Sequence, residues 1–246
     1  MTALDLPHGP VHWDAIRLVV FDLDGTLYDQ RRLRLRVLLR LVGDAVSSLS
    51  LETIRILREF RRCREELGES LACDFVTLQY QSVANRTGHP PEYVRSIVEE
   101  WMERRPLDVL RNCRYPGIAQ LFAGLSAKGK TIAVLSDYPA REKLRVLGLS
   151  ADLVVYAGDP DVGFLKPHPA GLQNVLSKAK IPAQDAIMIG DRVDRDWKVA
   201  QRHGMRALIK SRKPLADIDT FRSFDDEVFS AVSEKDVRSG HNFQEP

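Results

Sequence analysis

Apolar positions change their rhythm twice along this chain. Leu18-Val19-Val20-Phe21 is an unbroken apolar run, short and half β-branched, of the kind that forms a strand buried on both faces. From Gln30 to about Arg111 the spacing is helical. Residues 31–42 place Leu35, Leu38, Leu39 and Val42 on one face and Arg32, Arg36 and Arg40 on another, although their first positions also alternate as a strand would. Residues 51–67 set Ile54, Leu57 and Phe60 at helical spacing, and 71–84 continue with Leu71, Phe75 and Leu78. Gly88-His89-Pro90-Pro91 breaks the chain, after which Val94, Ile97, Val98 and Trp101 mark a fourth helix. Four consecutive helices can bury their own faces as a small bundle.

From Tyr115 onward helix and strand alternate. Pro116-Gly117 opens a helix with Ile118, Leu121, Phe122 and Leu125 inward, closed by Gly129. Strands are expected at 131–135, 153–156, 186–189 and, last, 206–209. Helices are expected at 139–147, at 169–180 and from about 192 to 203. Short strands alternating with helices predict an α/β fold, a parallel sheet covered on both faces. Ligands of such sheets bind outside the carboxyl ends of the strands. Asp22, Asp24, Ser136 and Asp191 each follow or close one of these apolar runs and so gather at one rim. The tail from about 233 to 246 is polar and expected to be poorly ordered.

Composition narrows the class without naming a function. The 246 residues suffice for one large α/β domain, or for a core with a second domain inserted. Hydrophobic content of 44% and charged content of 28% are those of a soluble globular protein. A formal net charge of +2 gives no global reason to expect nucleic acid or a membrane surface as a partner. Cys63, Cys73 and Cys113 lack metal-ligand spacing and fit reduced thiols in a cytoplasmic protein. Residues 1–14 have neither a basic start nor an apolar centre, so no signal peptide is expected there. No stretch approaches the roughly 18 apolar residues of a membrane span.

The chemistry concentrates where the first strand ends. Asp22 and Asp24 are separated by one leucine and followed by Gly25-Thr26. Two carboxylates at the end of a buried strand are costly to desolvate unless a cation or protons compensate them. Further along stand Ser136 at a strand end, Lys166 in Leu165-Lys166-Pro167, and Gly190-Asp191 with Asp196 five residues on. These four pieces, in this order, resemble the motifs of the haloacid dehalogenase superfamily, and the resemblance spans about residues 17–209. It is similar in particular to the phosphoglycolate-phosphatase-like members with a helical cap between the first and second motifs.

The resemblance implies a Rossmann-like sheet, Mg²⁺ and phosphoryl transfer through an aspartyl-phosphate. Asp22 matches the nucleophile and Asp24 the general acid/base that serves the leaving group and then water. Asp22, the Asp24 main-chain carbonyl and Asp191 match the metal ligands. Lys166 and Ser136 match the catalytic groups that bind the transferred phosphate, and Asp137, next in the second motif, falls at a phosphate-site position with them. Asp196 matches a supporting acid that holds the ion's water shell or orients Lys166. Two positions depart from the pattern. Asp137 stands where asparagine is frequent; its carboxylate is expected to turn from the phosphate and is a candidate cap for the helix near Pro139. Arg192 stands where serine or threonine is frequent, to pair with Asp194 or Asp196 or to face solvent.

The expected organisation is a catalytic core of residues 1–29 and 112–216, a helical cap of 30–111, and a partly disordered extension of 217–246. Cap arginines (Arg31, Arg32, Arg34, Arg36) are candidates for a second anionic group of the substrate, or for solvated and paired surface positions. The expected substrate is a small phosphorylated metabolite, with no nucleic-acid or membrane partner, handled by a monomer or homodimer. A phosphomutase, other phosphoryl or C–P chemistry, and a non-catalytic binding role use the same core and stay open. Asp24 argues against a dehalogenase, since those relatives lack the second acid.

Overall fold

A computed structural model describes residues 9–44, 51–70 and 72–233. Its centre is a six-stranded parallel sheet in the order β3-β2-β1-β4-β5-β6. The strands are β1 (Leu18–Phe21), β2 (Thr131–Ser136), β3 (Leu153–Tyr156), β4 (Ala186–Gly190), β5 (Arg206–Lys210) and β6 (Thr220–Phe221). β1 lies between β2 and β4, and all four of its residues are fully buried. Its side chains alternate between two separate cores: Val19 and Phe21 enter one, Leu18 and Val20 the other. β2 and β4 divide in the same way, Ile132, Val134, Ile187 and Ile189 to the first, Ala133, Leu135, Ala186 and Met188 to the second. That two-sided burial explains why these strands read as continuous apolar runs.

Helices α6 (Ile118–Ala127), α7 (Arg141–Leu147), α8 (Ala170–Ala179) and α9 (Lys198–Arg202) connect the later strands. The four expected inward residues of α6 are all buried. Between β1 and β2 lie α1 (Gln30–Asp44), α2 (Leu51–Ser70), α3 (Phe75–Thr87), α4 (Pro91–Val98) and α5 (Arg105–Leu110), with a π-helical turn at Glu99–Arg104 joining the last two. α2, α3 and α4 share a core of their own around Ile56, Phe60, Tyr80, Val83, Val94 and Val98. The ends of this insert are instead rooted in the first sheet core through Leu33, Val109 and Leu110. Among the described residues no helix is long and apolar enough to cross a membrane.

Three expectations need correction. α1 does not bury the face assigned to it: Leu35 and Leu39 are 55% and 61% exposed, whereas Leu33 is buried and Val37 packs beside it. Leucines occupy two sides of this helix, and its docking on the sheet core selects the Leu33–Val37 stripe. The side chains of Leu38 and Val42 lie outside the described residues, as does Leu71. Similarly Ile54 and Leu78 are exposed, and the α2–α3 contact is made through Ile56 and Tyr80. Finally, β5 is not the last strand. Residues past 217 add β6 and insert Phe221, Phe224, Phe229 and Val232 into the first core, where Trp13 Nε1 donates to the Val228 carbonyl at 2.6 Å. The expected disorder of the tail concerns residues 234–246, which lie outside the described residues.

Phe229 is fully buried among Trp13, Phe221 and Phe224. Phe229→Ala is therefore expected to lower unfolding free energy by about 3–5 kcal/mol, read as a reduced urea midpoint; an unchanged midpoint would show that the extension does not belong to the folded core.

Candidate active site

The sheet brings its polar strand ends to one point. Phe21 is in register with Val134 of β2 and with Ile189 of β4. One residue further, the Asp22 N–H still donates to the Ile189 carbonyl at 2.8 Å, so Asp22 leaves the sheet at a fixed position. Lys166 Nζ reaches it there, donating to Asp22 Oδ1 at 2.6 Å, to Asp196 Oδ1 at 2.7 Å and to the Leu135 carbonyl at 3.3 Å. All three ammonium donors are thus used, and the lysine is buried. The other Asp22 oxygen accepts from Thr26 Oγ1 at 2.8 Å.

Asp196 owes its place to a π-helical turn, Val193–Trp197, that follows β4. Its second oxygen accepts the N–H groups of Asp191 and Arg192, each at 3.1 Å. With Lys166 on the first oxygen, this carboxylate is committed to orienting the lysine and the loop that carries Asp191. The chain folds closely here: a Cβ on Gly190 would lie 2.4 Å from the Asp196 side chain. Gly25 combines φ of +103° with a hypothetical Cβ 2.3 Å from Asp191 Oδ2, so only glycine fits between the first and fourth motifs.

Asp22, Asp191 and Asp196 place carboxylate oxygens within 4.8 Å of one another. Lys166 is the one ammonium among these three acids. Burial, followed by the neighbouring carboxylates Asp196 and Asp191, holds the Asp22 carboxyl well above its usual range despite Lys166. Burial and then Asp196 raise Asp191 to about 6. Burial opposes the charge on Lys166, but Asp196, Asp22 and Asp137 outweigh it and push its pKa upward. The site therefore carries excess negative charge that one lysine does not neutralise. An all-oxygen donor set with that excess suits a hard divalent cation.

Asp24 lies in a different environment. Lys143 Nζ donates to its Oδ1 at 2.6 Å, and the Tyr28 hydroxyl donates to the same oxygen. Burial alone would raise its pKa, but the Lys143 charge and hydrogen bond, with help from Tyr28, bring it below the ordinary value. Two aspartates separated by one residue are thus driven in opposite directions. Neither Lys143 nor Tyr28 was singled out from the sequence. Lys143 sits in the first turn of α7, which starts just past the rim, and helical Cα–Cβ bonds tilt toward the N-terminus, so such a residue points back at the site.

Ser136 is buried at the end of β2, and its Oγ accepts the Tyr138 N–H at 3.1 Å, which leaves the hydroxyl proton free to donate elsewhere. Asp137 does turn aside, but it caps no helix: α7 starts at Arg141 without a side-chain cap. Its Oδ1 instead accepts the Lys166 N–H at 2.9 Å, anchoring the loop that carries the lysine, and burial raises its pKa. Arg192 forms a two-pronged pair with Glu65 of α2, at 2.9 and 3.0 Å, and also meets Asp194 at 2.6 Å. Buried Arg195 donates to the same Glu65 at 2.8 Å and to the Lys166 carbonyl. The preceding residue of α2, Arg64, is buried, donates to the Asp137 carbonyl and stacks on Tyr138 at 4.1 Å.

Above Asp24 a cavity of about 460 Å³ opens between the insert and the sheet rim. Tyr28, Lys143 and Tyr138 form its floor, and α1, α2 and the π-turn before α5 its walls. Of Arg31, Arg32, Arg34 and Arg36 only Arg34 lines it; Arg58 and Arg61 of α2 join it there.

Comparison with known proteins agrees with this arrangement. The chain is 31% identical over 119 residues to a phosphoglycolate phosphatase of Rhodospirillum rubrum, a match covering 46% of this chain and about half (49%) of that protein. It is 27% identical over 198 residues to a glyceraldehyde 3-phosphate phosphatase of Methanopyrus kandleri, covering 77% of this chain and 82% of the other. The fold matches the crystal structure of a 2-haloacid dehalogenase from Pseudomonas syringae with a TM-score of 0.55 at 22% identity, over 85% of this chain and 95% of that one. A family model for haloacid dehalogenase-like hydrolases matches residues 16–204, and the chain belongs to that family.

Proposed function

We propose that this protein is a Mg²⁺-dependent phosphatase that hydrolyses a phosphate monoester through an aspartyl-phosphate on Asp22. The observation that carries the reading is geometric: Asp22 stands with Asp191 and Asp196 in one carboxylate cluster around Lys166, while Asp24 is held apart from it by Lys143 and Tyr28. Asp22 is held against Lys166 in a cluster short of positive charge, where a bound cation would favour its ionised form; Asp24 is paired with Lys143, which lowers its pKa until another negative charge comes near. That division fits an attacking carboxylate beside a separate proton carrier. The phosphatase relatives in the same family support the reaction class.

Asp22, Asp191 and the Asp24 main-chain carbonyl would hold Mg²⁺, which when bound offsets the negative charge shared by these acids and a phosphate. In the first step an ionised Asp22 oxygen attacks phosphorus and the P–O bond to the alcohol breaks; Asp24, which takes up a proton from solvent as the anionic phosphate enters beside it, passes that proton to the leaving oxygen. In the second, Asp24 takes a proton from water as it cleaves the acyl phosphate and releases inorganic phosphate. Lys166 keeps Asp22 in line and places positive charge beside the transferred group, and the Ser136 hydroxyl donates to a phosphate oxygen. Asp137 serves the phosphate site through the Lys166 loop, and Asp196 through the Lys166 ammonium. Helices α1 to α5 act as a cap that screens the reaction from bulk water. The three free thiols fit work in the reducing cytoplasm.

The purified protein is expected to hydrolyse p-nitrophenyl phosphate with Mg²⁺. Asp22→Asn should cost on the order of 10³-fold or more in kcat; activity that survives this change, or that persists in excess chelator, overturns the mechanism. Asp24→Asn should depress hydrolysis of alkyl phosphates more than that of p-nitrophenyl phosphate, whose leaving group needs no proton; equal losses would remove Asp24 from the role of acid.

Metal binding has its own readout. Mg²⁺ should raise the melting temperature of the wild-type protein but not that of Asp191→Asn. Because Asp191 holds its proton up to about pH 6 in the metal-free site, and the ligand must be ionised, the Mg²⁺-induced rise should shrink as pH falls through 6. A rise of the same size at pH 5 and 8 would exclude Asp191 as a ligand.

A further inference from the structure

The cavity above Asp24 is built for something other than a small polar ester. Its walls are Leu33, Val37, Ile54, Leu57, Met102 and Leu107, an apolar surface contributed by α1, α2 and the segment leading into α5. Ile54 is 48% exposed on a helix whose other apolar residues are mostly packed, so the side chain faces open space that a ligand could fill. A volume of about 460 Å³ lies in the range of pockets that enclose organic molecules of considerable size. An ester as small as phosphoglycolate would leave most of that apolar wall facing water.

Charge adds a second constraint. Arg34, Arg58 and Arg61 line the same cavity, and none of them pairs with a carboxylate among the described residues. Arg61 is half-buried and feels the charge of the exposed Arg34; burial first, and then that like charge, lower its pKa. Water screens the exposed Arg34 and Arg58, but the half-buried Arg61 beside a like charge is stabilised when an anion joins the two. Of the acids in the lining, Asp24 is satisfied by Lys143 and Tyr28, which leaves Glu103 against three arginines. The transferred phosphate has its own partners in Lys166 and Ser136 at the sheet rim, so the arginines are available to a different group.

We propose that the cavity selects phosphate monoesters whose alcohol portion is bulky and apolar and carries a second anionic group, bound by Arg34, Arg58 and Arg61. The inference rests on the phosphatase reading and specifies its substrate class. The apolar body would lie against Leu57 and Ile54, the second anion would meet the arginines by charge-assisted hydrogen bonds, and the phosphate would point down to Asp22.

Steady-state kinetics with Mg²⁺ on three esters of alkyl alcohols test it: 4-carboxybenzyl phosphate, its isosteric amide 4-carbamoylbenzyl phosphate, and phosphoglycolate. The expected order of kcat/KM is the carboxylate first, the amide second and phosphoglycolate last. The carboxylate should exceed the amide by about tenfold, mainly through KM, as one charge-assisted bond provides. Arg61→Ala, and separately Arg34→Ala, should bring that ratio toward one, and Ile54→Asn should weaken both benzyl esters relative to phosphoglycolate. Equal rates for carboxylate and amide, or a preference for phosphoglycolate over both, would overturn the proposal while leaving the phosphatase reading intact. If none of the three is hydrolysed and p-nitrophenyl phosphate is also untouched, the phosphatase reading fails and this inference with it.

Discussion

The ion pair between Lys166 and the two acids Asp22 and Asp196 is the constraint on which the rim depends. An ammonium ion and two carboxylates in a buried site are stable only if every donor and oxygen is satisfied. Here the lysine spends its three donors on Asp22, Asp196 and the Leu135 carbonyl, and Asp196 spends its second oxygen on two backbone N–H groups. That set of bonds ties together the ends of β1, β2 and β4 and the loop before α8. Its remaining imbalance, three acids against one lysine, is what gives the site its appetite for a cation.

Among the described residues the hydrogen bonds of this framework reach into the helical insert through α2, while Phe75 of α3 packs on Ala157 and Leu165 beside it. Arg64 and Glu65, adjacent on α2, hold opposite sides of the rim: Arg64 bonds the Asp137 carbonyl, and Glu65 bonds Arg192 and Arg195. The two positions that depart from the family pattern, Asp137 and Arg192, are therefore both partners of α2. Asp137 and Arg195 also hold the main chain of Lys166, through its N–H and its carbonyl respectively. The exposed Arg192–Glu65 pair by itself contributes little stability, but together with buried Arg64 and Arg195 it fixes the insert's approach to Lys166.

Much of the site was legible because its residues follow apolar runs. Asp22, Ser136 and Asp191 each sit at the end of a strand whose two-sided burial is written in consecutive apolar residues, and parallel strands put such ends together. Lys143 was not legible, since its pairing with Asp24 across more than a hundred residues depends on where α7 packs. Arg58 and Arg61 belong to a helix whose many charges gave no sign of which would face a cavity. The inward face of α1 was misread because leucines on two sides make the choice a tertiary one. β6 escaped notice as two residues in a polar stretch, although Phe221, Phe224 and Phe229 in that stretch were the available signal.

The alternation of β1 between two cores has a consequence for how the protein opens. Helices on either face of the sheet cannot detach independently of this strand, because each core takes two of its four side chains. The backbone amides of β1 should then exchange with solvent only through global unfolding, while those of α2 to α4, with a core of their own, can exchange through smaller openings. Asp22 extends from the segment of chain with the fewest routes to local disorder, so its carboxylate keeps its position even where the helices above it open.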